Sequence, residues 1–311
     1  ALRITLLTGN APGNDMRYYK ERIEASRNFA NKIWNASRFI LMNLPEEELT
    51  ADFTLAPADK WILSRVNTLT KEVTENLDKY EMGIALGKLN DFLWEEFCDW
   101  YIEMVKPRLN SADAFDVAAA LRTLKSVLIQ AMKLLHPFMP FITEELWQHV
   151  KTEGETIMLQ SFPKSEKNLI SAEVETAMAW LQEAITAFRN IRAEANINPG
   201  KAVPALIKTA DPEEMKILTQ NKAFLMKLAK LESLDFGAEI VKPELSGVRV
   251  VGKAELIVPL LGLLDLEAEK EKIMAQIAKL EQGLASCERK LADERFVSKA
   301  PAQVIEREKA N

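Results

Sequence analysis

One helical face gathers the side chains best suited to holding a polyanion. Between Tyr18 and Leu44, apolar residues recur at Phe29, Ile33, Ala36, Ile40 and Leu44, at spacings of four, three, four and four. That pattern predicts a helix with a single apolar stripe. At 100° per residue, Arg27, Asn31, Trp34 and Arg38 fall about 200° from the stripe. Asn28, Lys32, Asn35 and Phe39 flank them. Single-stranded RNA is read by this mixture: cations hold phosphates, amides bond base edges, and aromatic and guanidinium planes stack on splayed bases. A plainer reading fits the same spacing. A neighbouring helix could cover Trp34 and Phe39 and leave an ordinary solvated basic rim, and periodicity does not separate the two.

Nothing else is arranged for covalent chemistry. The sequence holds no G-x-G-x-x-G after a strand, no P-loop, no G-x-S-x-G and no H-E-x-x-H. Its carboxylates are abundant but alternate with Lys and Arg along helix faces, as solvated groups do. Cys98 and Cys287 lie far apart on expected helices and read as two free thiols of a reducing compartment. Zinc would need more ligands at closer spacing. His136 and His149 are the only histidines, and His136, flanked by Pro137 in Leu134–Phe141, reads as a structural hydrogen-bonder. No catalytic residue and no metal ligand is expected. Taken alone, the sequence describes a binding module or a scaffold more readily than an enzyme.

The composition agrees with a folded, water-soluble chain. Of 311 residues, 48% are hydrophobic and 28% charged, which argues against disorder. No apolar run approaches the roughly 18 residues that span a bilayer, so no membrane partner is expected. The chain starts at Ala1 and not at Met, and is expected to be a fragment or a processed product. The net charge is −6, yet residues 1–44 carry seven basic side chains against three acidic ones, a local +4. An anionic partner would meet that segment first.

The elements that must position the candidate face come from the same periodicities. After a short apolar piece, Leu2 to Thr8, and a turn-rich stretch, the first long helix ends at Pro45. Further helices are expected over about 58–80, with Ile62, Val66, Leu69, Val73 and Leu77 inward, and over about 84–109, with Leu89, Leu93, Phe97, Trp100 and Met104 inward. Another spans about 116–135. Pro137 and Pro140 break the chain, and a short helix restarts with Thr143 as its N-cap. Such segments joined by short loops suggest an antiparallel bundle. One short strand is expected at Thr156–Leu159 and a further helix over about 173–195. A small α/β module comes next, with a strand at Val203–Lys208, a helix over 212–230, and β-like runs at 233–236, 247–251 and 254–258.

The last part changes character. Ile273, Ile277, Leu280, Leu284, Cys287 and Leu291 form a heptad seam. A helix from Leu266 to Arg295 would be about 45 Å long. Pro301 can open a second helix, of which the sequence holds only a start. Along 266–295, six basic residues face seven acidic ones, so charge alone does not name a partner. A dimerising coiled coil or structural scaffold remains open on these observations. The expected architecture is therefore mainly α: a helix bundle over 1–165, a linker helix and small α/β module over 166–262, and a truncated coiled-coil arm over 263–311.

Several stretches resemble class I aminoacyl-tRNA synthetases of the valyl, isoleucyl and leucyl group. Leu134-Leu135-His136-Pro137-Phe138-Met139-Pro140-Phe141-Ile142-Thr143-Glu144-Glu145-Leu146-Trp147 is similar to the signature that closes their anticodon-binding bundle. Phe97-Cys98-Asp99-Trp100-Tyr101-Ile102-Glu103, with Lys106-Pro107 after it, is similar to another. Two stretches resemble the valyl branch in particular: Arg27 to Phe39, and the terminal arm from Leu261-Gly262-Leu263-Leu264-Asp265-Leu266 to Phe296-Val297-Ser298-Lys299-Ala300-Pro301. The isoleucyl and leucyl branches lack such an arm, and a fragment of either is the alternative assignment.

The resemblance implies the rest. Members of the valyl branch join valine to its tRNA with ATP and Mg, using H-I-G-H and K-M-S-K-S type motifs, and edit threonine in an inserted domain. Neither motif is found here, and Val297-Ser298-Lys299-Ala300 is not a K-M-S-K-S loop. These residues are thus expected neither to activate valine nor to edit, and to need no cofactor of their own. The bundle would bind the anticodon of a valine tRNA in the cytoplasm, and the arm would pack on the tRNA elbow through residues the sequence does not single out. The implied anticodon-reading role falls on Lys32, Arg38 and Phe39, and then on Arg27, Asn31, Trp34 and Asn35. The parent protein is expected to be monomeric, with self-association of this chain through the unpaired arm.

Overall fold

The computed structural model describes residues 1–9, 15, 17–45, 53–150 and 154–263, and farther on 270, 274, 277–285 and 287. Helices dominate, and the contacts divide into two units, Ala1–Gln182 and Glu183–Asn311. The first therefore runs on past the 165 read from sequence.

In the first unit, α1 (Leu2–Leu7) precedes the long α2 (Lys20–Asn43). The short apolar piece at the start is thus a helical turn and a half, tied to α2 through the Thr5 and Ser26 hydroxyls, 2.9 Å apart. α3 (Pro57–Asp78) opens on a proline, which lacks only an N–H that the first turn would leave unpaired. α4 (Met82–Asp91) passes so close to α1 that a Cβ on Gly83 would stand 2.6 Å from the Leu7 carbonyl oxygen. α6 (Ala114–Leu135) is capped by Asp113, whose carboxylate accepts from the Phe115 N–H at 2.9 Å.

The single helix expected over 84–109 is instead four pieces. α4 gives way to a π-helix, Phe92–Tyr101, then to the short α5 (Ile102–Val105) and a 3₁₀ turn at Arg108–Asn110. Bonds from i to i+5 widen the helix and shift which residues point inward. Tyr101 is fully buried, and Trp100, which an α-helical period turns toward the core, is only half-buried. Phe92, Phe97 and Tyr101 form a ladder with ring centroids 6.4 and 6.2 Å apart.

That ladder ends on a buried carboxylate. Asp59, fully buried in the first turn of α3, accepts from the Tyr101 hydroxyl at 2.7 Å and from the two terminal nitrogens of Arg108 at 2.7 and 2.9 Å. It also accepts from the Ala56 N–H at 3.0 Å. Burial, together with Asp59 alongside, pushes the Tyr101 phenol well above its usual range. Nearby, Arg65 of α3 bonds both Glu96 oxygens and Glu175 at 2.7 to 3.1 Å.

α7 (Pro140–Val150) begins at its proline, so Thr143 lies inside the helix and not at its cap. Its hydroxyl meets the Met139 carbonyl at 2.8 Å and His136 Nδ1 at 2.7 Å, and burial lowers the imidazole pKa. The strand expected at 156–159 is a 3₁₀ turn, Ile157–Leu159. There the Thr156 hydroxyl accepts from the Met158 N–H and donates to Glu144 at 2.6 Å. Local side-chain bonds of this kind satisfy the backbone without a ladder.

α8 (Ala172–Glu194) runs across the division between the units. Beyond it, β1 (Val203–Lys208), α9 (Pro212–Ala229) and β2 (Leu231–Gly237) form a crossover with parallel strands, and β3 (Ser246–Val251) and β4 (Ala254–Pro259) a hairpin. The sheet order is β2-β1-β4-β3. Arg192 organises this module. Its guanidinium donates to the carbonyls of Ala229, Lys230 and Lys201 at 2.7, 2.8 and 2.7 Å, and to those of Pro199 and Asn198 at 3.3 and 3.5 Å. It thereby satisfies the end of α9, where Lys230 turns left-handed at φ 56°.

Both polar joints can be tested by stability. Asp59→Ala leaves Arg108 and Tyr101 facing an empty buried site, and is expected to lower the unfolding free energy by about 3–5 kcal/mol in urea denaturation. Arg192→Ala takes its donor from the buried Ala229 carbonyl and from the part-buried carbonyls around it, and a loss of about 1–3 kcal/mol is expected, with faster amide exchange at the end of α9 and in 198–201.

Candidate nucleic-acid interface

The candidate face is set by what α2 buries. Ser26, Phe29, Ile33, Ser37 and Ile40 point inward, and Ala36 and Leu44 of the expected stripe are only half-buried. The apolar stripe is thus narrower than its sequence spacing suggests, with two serines filling the close contacts. Arg27, Asn31, Trp34, Asn35 and Arg38 remain exposed, Trp34 to 42%. Among the described residues, no neighbouring helix seals that side. Lys32 and Phe39 sit half-buried on its border.

The π-helix supplies that border. The Lys32 ammonium lies 2.7 Å from an Asp99 carboxylate oxygen and 3.9 Å from the centre of the Trp94 ring. Trp94 in turn stacks on Phe29, with centroids 6.4 Å apart. The Lys106 ammonium stands 5.8 Å from the Phe39 ring, within the range of cation–π attraction. The face therefore combines an open strip of Arg, Asn and Trp with one held cation and one aromatic ring.

Cys98 lies beside this clamp as a free, half-buried thiol. Burial pushes its thiol up to about 12, with Lys32 pulling the other way and Asp99 adding to the rise. Among the described residues, no group of three or more His, Cys, Asp or Glu could hold a metal ion. A cavity of about 480 Å³ opens elsewhere in the first unit, beside Trp61, Glu95 and Trp100, but Glu96 and Glu175 on its wall are already bonded to Arg65.

All seven residues singled out from the sequence lie on α2, five on its open side and two on its border. Trp94, Asp99 and Lys106 were missed. An α-helical period for 84–109 gives no sign that Trp94 and Asp99 share a face, since five residues on an α-helix are turned apart by about 140°.

Comparison with known proteins bears on both ends of the chain. A family model described as "Anticodon-binding domain of tRNA ligase" matches residues 59–207, and one described as "Valyl tRNA synthetase tRNA binding arm" matches residues 265–311. The valine–tRNA ligase of Clostridium perfringens is 46% identical over 316 residues, covering 100% of this chain and 36% of the relative. That of Fusobacterium nucleatum is 41% identical over 317 residues, covering 99% and 36%. The chain thus spans about a third of the length of the curated relatives it matches. Among solved structures, a ternary LeuRS–tRNA–LeuAMS complex of Agrobacterium radiobacter K84 covers 55% of this chain and 20% of its own, at 18% identity and a TM-score of 0.40. That likeness is too slight to carry an argument. On identity of 41–46% along its whole length, with both family domains present, the chain belongs to the valine–tRNA ligase family.

Proposed function

We propose that the chain recognises a valine tRNA, reading unpaired anticodon bases with the open side of α2. The observation that carries this is the exposure of Arg27, Asn31, Trp34, Asn35 and Arg38 on one side of a helix whose other side is core. Phe39 offers a ring for base stacking, Arg38 a cation for phosphate or a base edge, and Lys32 a donor at the border. The family domains over 59–207 and 265–311 support the same partner.

The arm would add contacts at the tRNA elbow, as a coiled coil along the heptad seam. Ile277, Leu280 and Leu284 are helical and exposed, at 49%, 73% and 56%, which supports an unpaired seam able to self-associate. Ile273, Leu291 and the expected return helix lie outside the described residues. The whole enzyme would join valine to tRNA in the cytoplasm with ATP and Mg, and act as a monomer. No role for either cofactor is assigned to the residues of this chain. No described helix is long and apolar enough to cross a membrane.

Filter binding tests the reading. The 311-residue chain is expected to bind a valine tRNA transcript more tightly than an isoleucine one, to lose affinity when single anticodon bases are changed, and to weaken steeply with salt. Phe39→Ala is expected to cost about 1–3 kcal/mol of binding, and Arg38→Ala to flatten the salt dependence. Equal affinity for every transcript, by the parent and both variants alike, overturns the assignment.

A further inference from the structure

We infer that Trp94 and Asp99 are positioning residues for Lys32, and that they make it a discriminator between anticodon bases and not a phosphate anchor. The inference rests on the proposed anticodon-reading role of α2.

The π-helix is what allows the arrangement. At about 4.4 residues per turn, residues five apart nearly eclipse, being turned by about 50°. Trp94 and Asp99 are five apart, so one presents an indole face and the other a carboxylate to the same ammonium. Phe29 stacks on Trp94 from α2 and fixes the indole. An ordinary α-helix through the same residues would aim one of the two elsewhere. π-helical geometry is rare, and its single-turn bulges are frequent at functional sites.

The held cation differs from a free one. A lysine on a mobile stem meets phosphates as a point charge. Here a carboxylate 2.7 Å away already balances the charge, and the side chain is only 22% exposed. Meeting a phosphate would release little counterion and would bring the Asp99 carboxylate near it. What remains is an ammonium with N–H bonds left over from Asp99, aimed by its two supports. Such a donor rewards an acceptor atom in one place, which a base edge provides and a backbone does not.

The test uses the full chain with valine tRNA transcripts, parent and singly substituted at each anticodon base, over a salt series. Asp99 is 55% exposed and its ion pair contributes little to folding, so Asp99→Asn leaves the fold intact. Asp99→Asn is expected to lower discrimination at one anticodon position about tenfold. It is also expected to steepen the salt dependence by about 0.7 in logarithmic slope, as the released ammonium turns to phosphate. Asp99→Glu restores most of the discrimination. Trp94→Phe keeps it and Trp94→Leu reduces it. Lys32→Ala loses the same discrimination without steepening the slope. The inference is overturned if Asp99→Asn discriminates as the parent does, or if it weakens all transcripts equally with the slope unchanged. A parent chain indifferent to the anticodon overturns the proposed function and this inference together. A parent that discriminates, with an Asp99→Asn variant that does so equally, removes the clamp alone.

Discussion

A carboxylate withdrawn from water must be met on every side, and in the helical unit that requirement falls on Asp59. Four donors converge on it: a backbone N–H of its own helix turn, the Tyr101 hydroxyl, and both prongs of Arg108. Unpaired, the charge would cost several kcal/mol; paired, it fixes three elements at once. Tyr101 is the last residue of the π-helix, so the pairing also sets where that helix ends. The rotation of the preceding turns is set with it, and so are the faces on which Trp94, Glu96 and Asp99 emerge. Glu96 closes on Arg65 of α3, while Trp94 and Asp99 close on Lys32 of α2. A buried charge in one place thus decides the geometry of an exposed surface in another.

The net charge gives this surface its context. The whole chain is acidic at −6, which discourages indiscriminate adhesion to nucleic acid. The local excess of cations before residue 45 would, on the proposed reading, make α2 the landing place and leave its side chains to decide which bases are kept. Phosphate attraction brings the ligand near, while stacking and base-edge donors distinguish one sequence from another. On this helix both kinds of group stand within a few turns, and both depend on the same buried stripe for their direction.

Much of this was legible in the sequence because burial is periodic. Phe29, Ile33 and Ile40 gave the inward side of α2, and so its outward side. β1 was legible from end to end, from Val203 to Lys208. Legibility failed where the rule assumed an α-helical period or a strand. The π-helix has a different repeat, and its signature, Phe92 to Phe97 at five residues, looks like noise on a 3.6-residue template. Thr156 failed for another reason: a hydroxyl with local partners can satisfy backbone groups that a strand would otherwise pair. The Lys32 clamp was illegible because it joins residues 62 and 67 positions apart, and only the fold brings them together.

Arg192 carries a consequence of a different sort. Every acceptor around its guanidinium is a peptide carbonyl, and peptide carbonyls keep their lone pairs through any ordinary acidification. The knot in the α/β module has nothing to titrate. The grip of Arg192 on the end of α9 and on the 198–201 loop therefore depends on no carboxylate staying ionised.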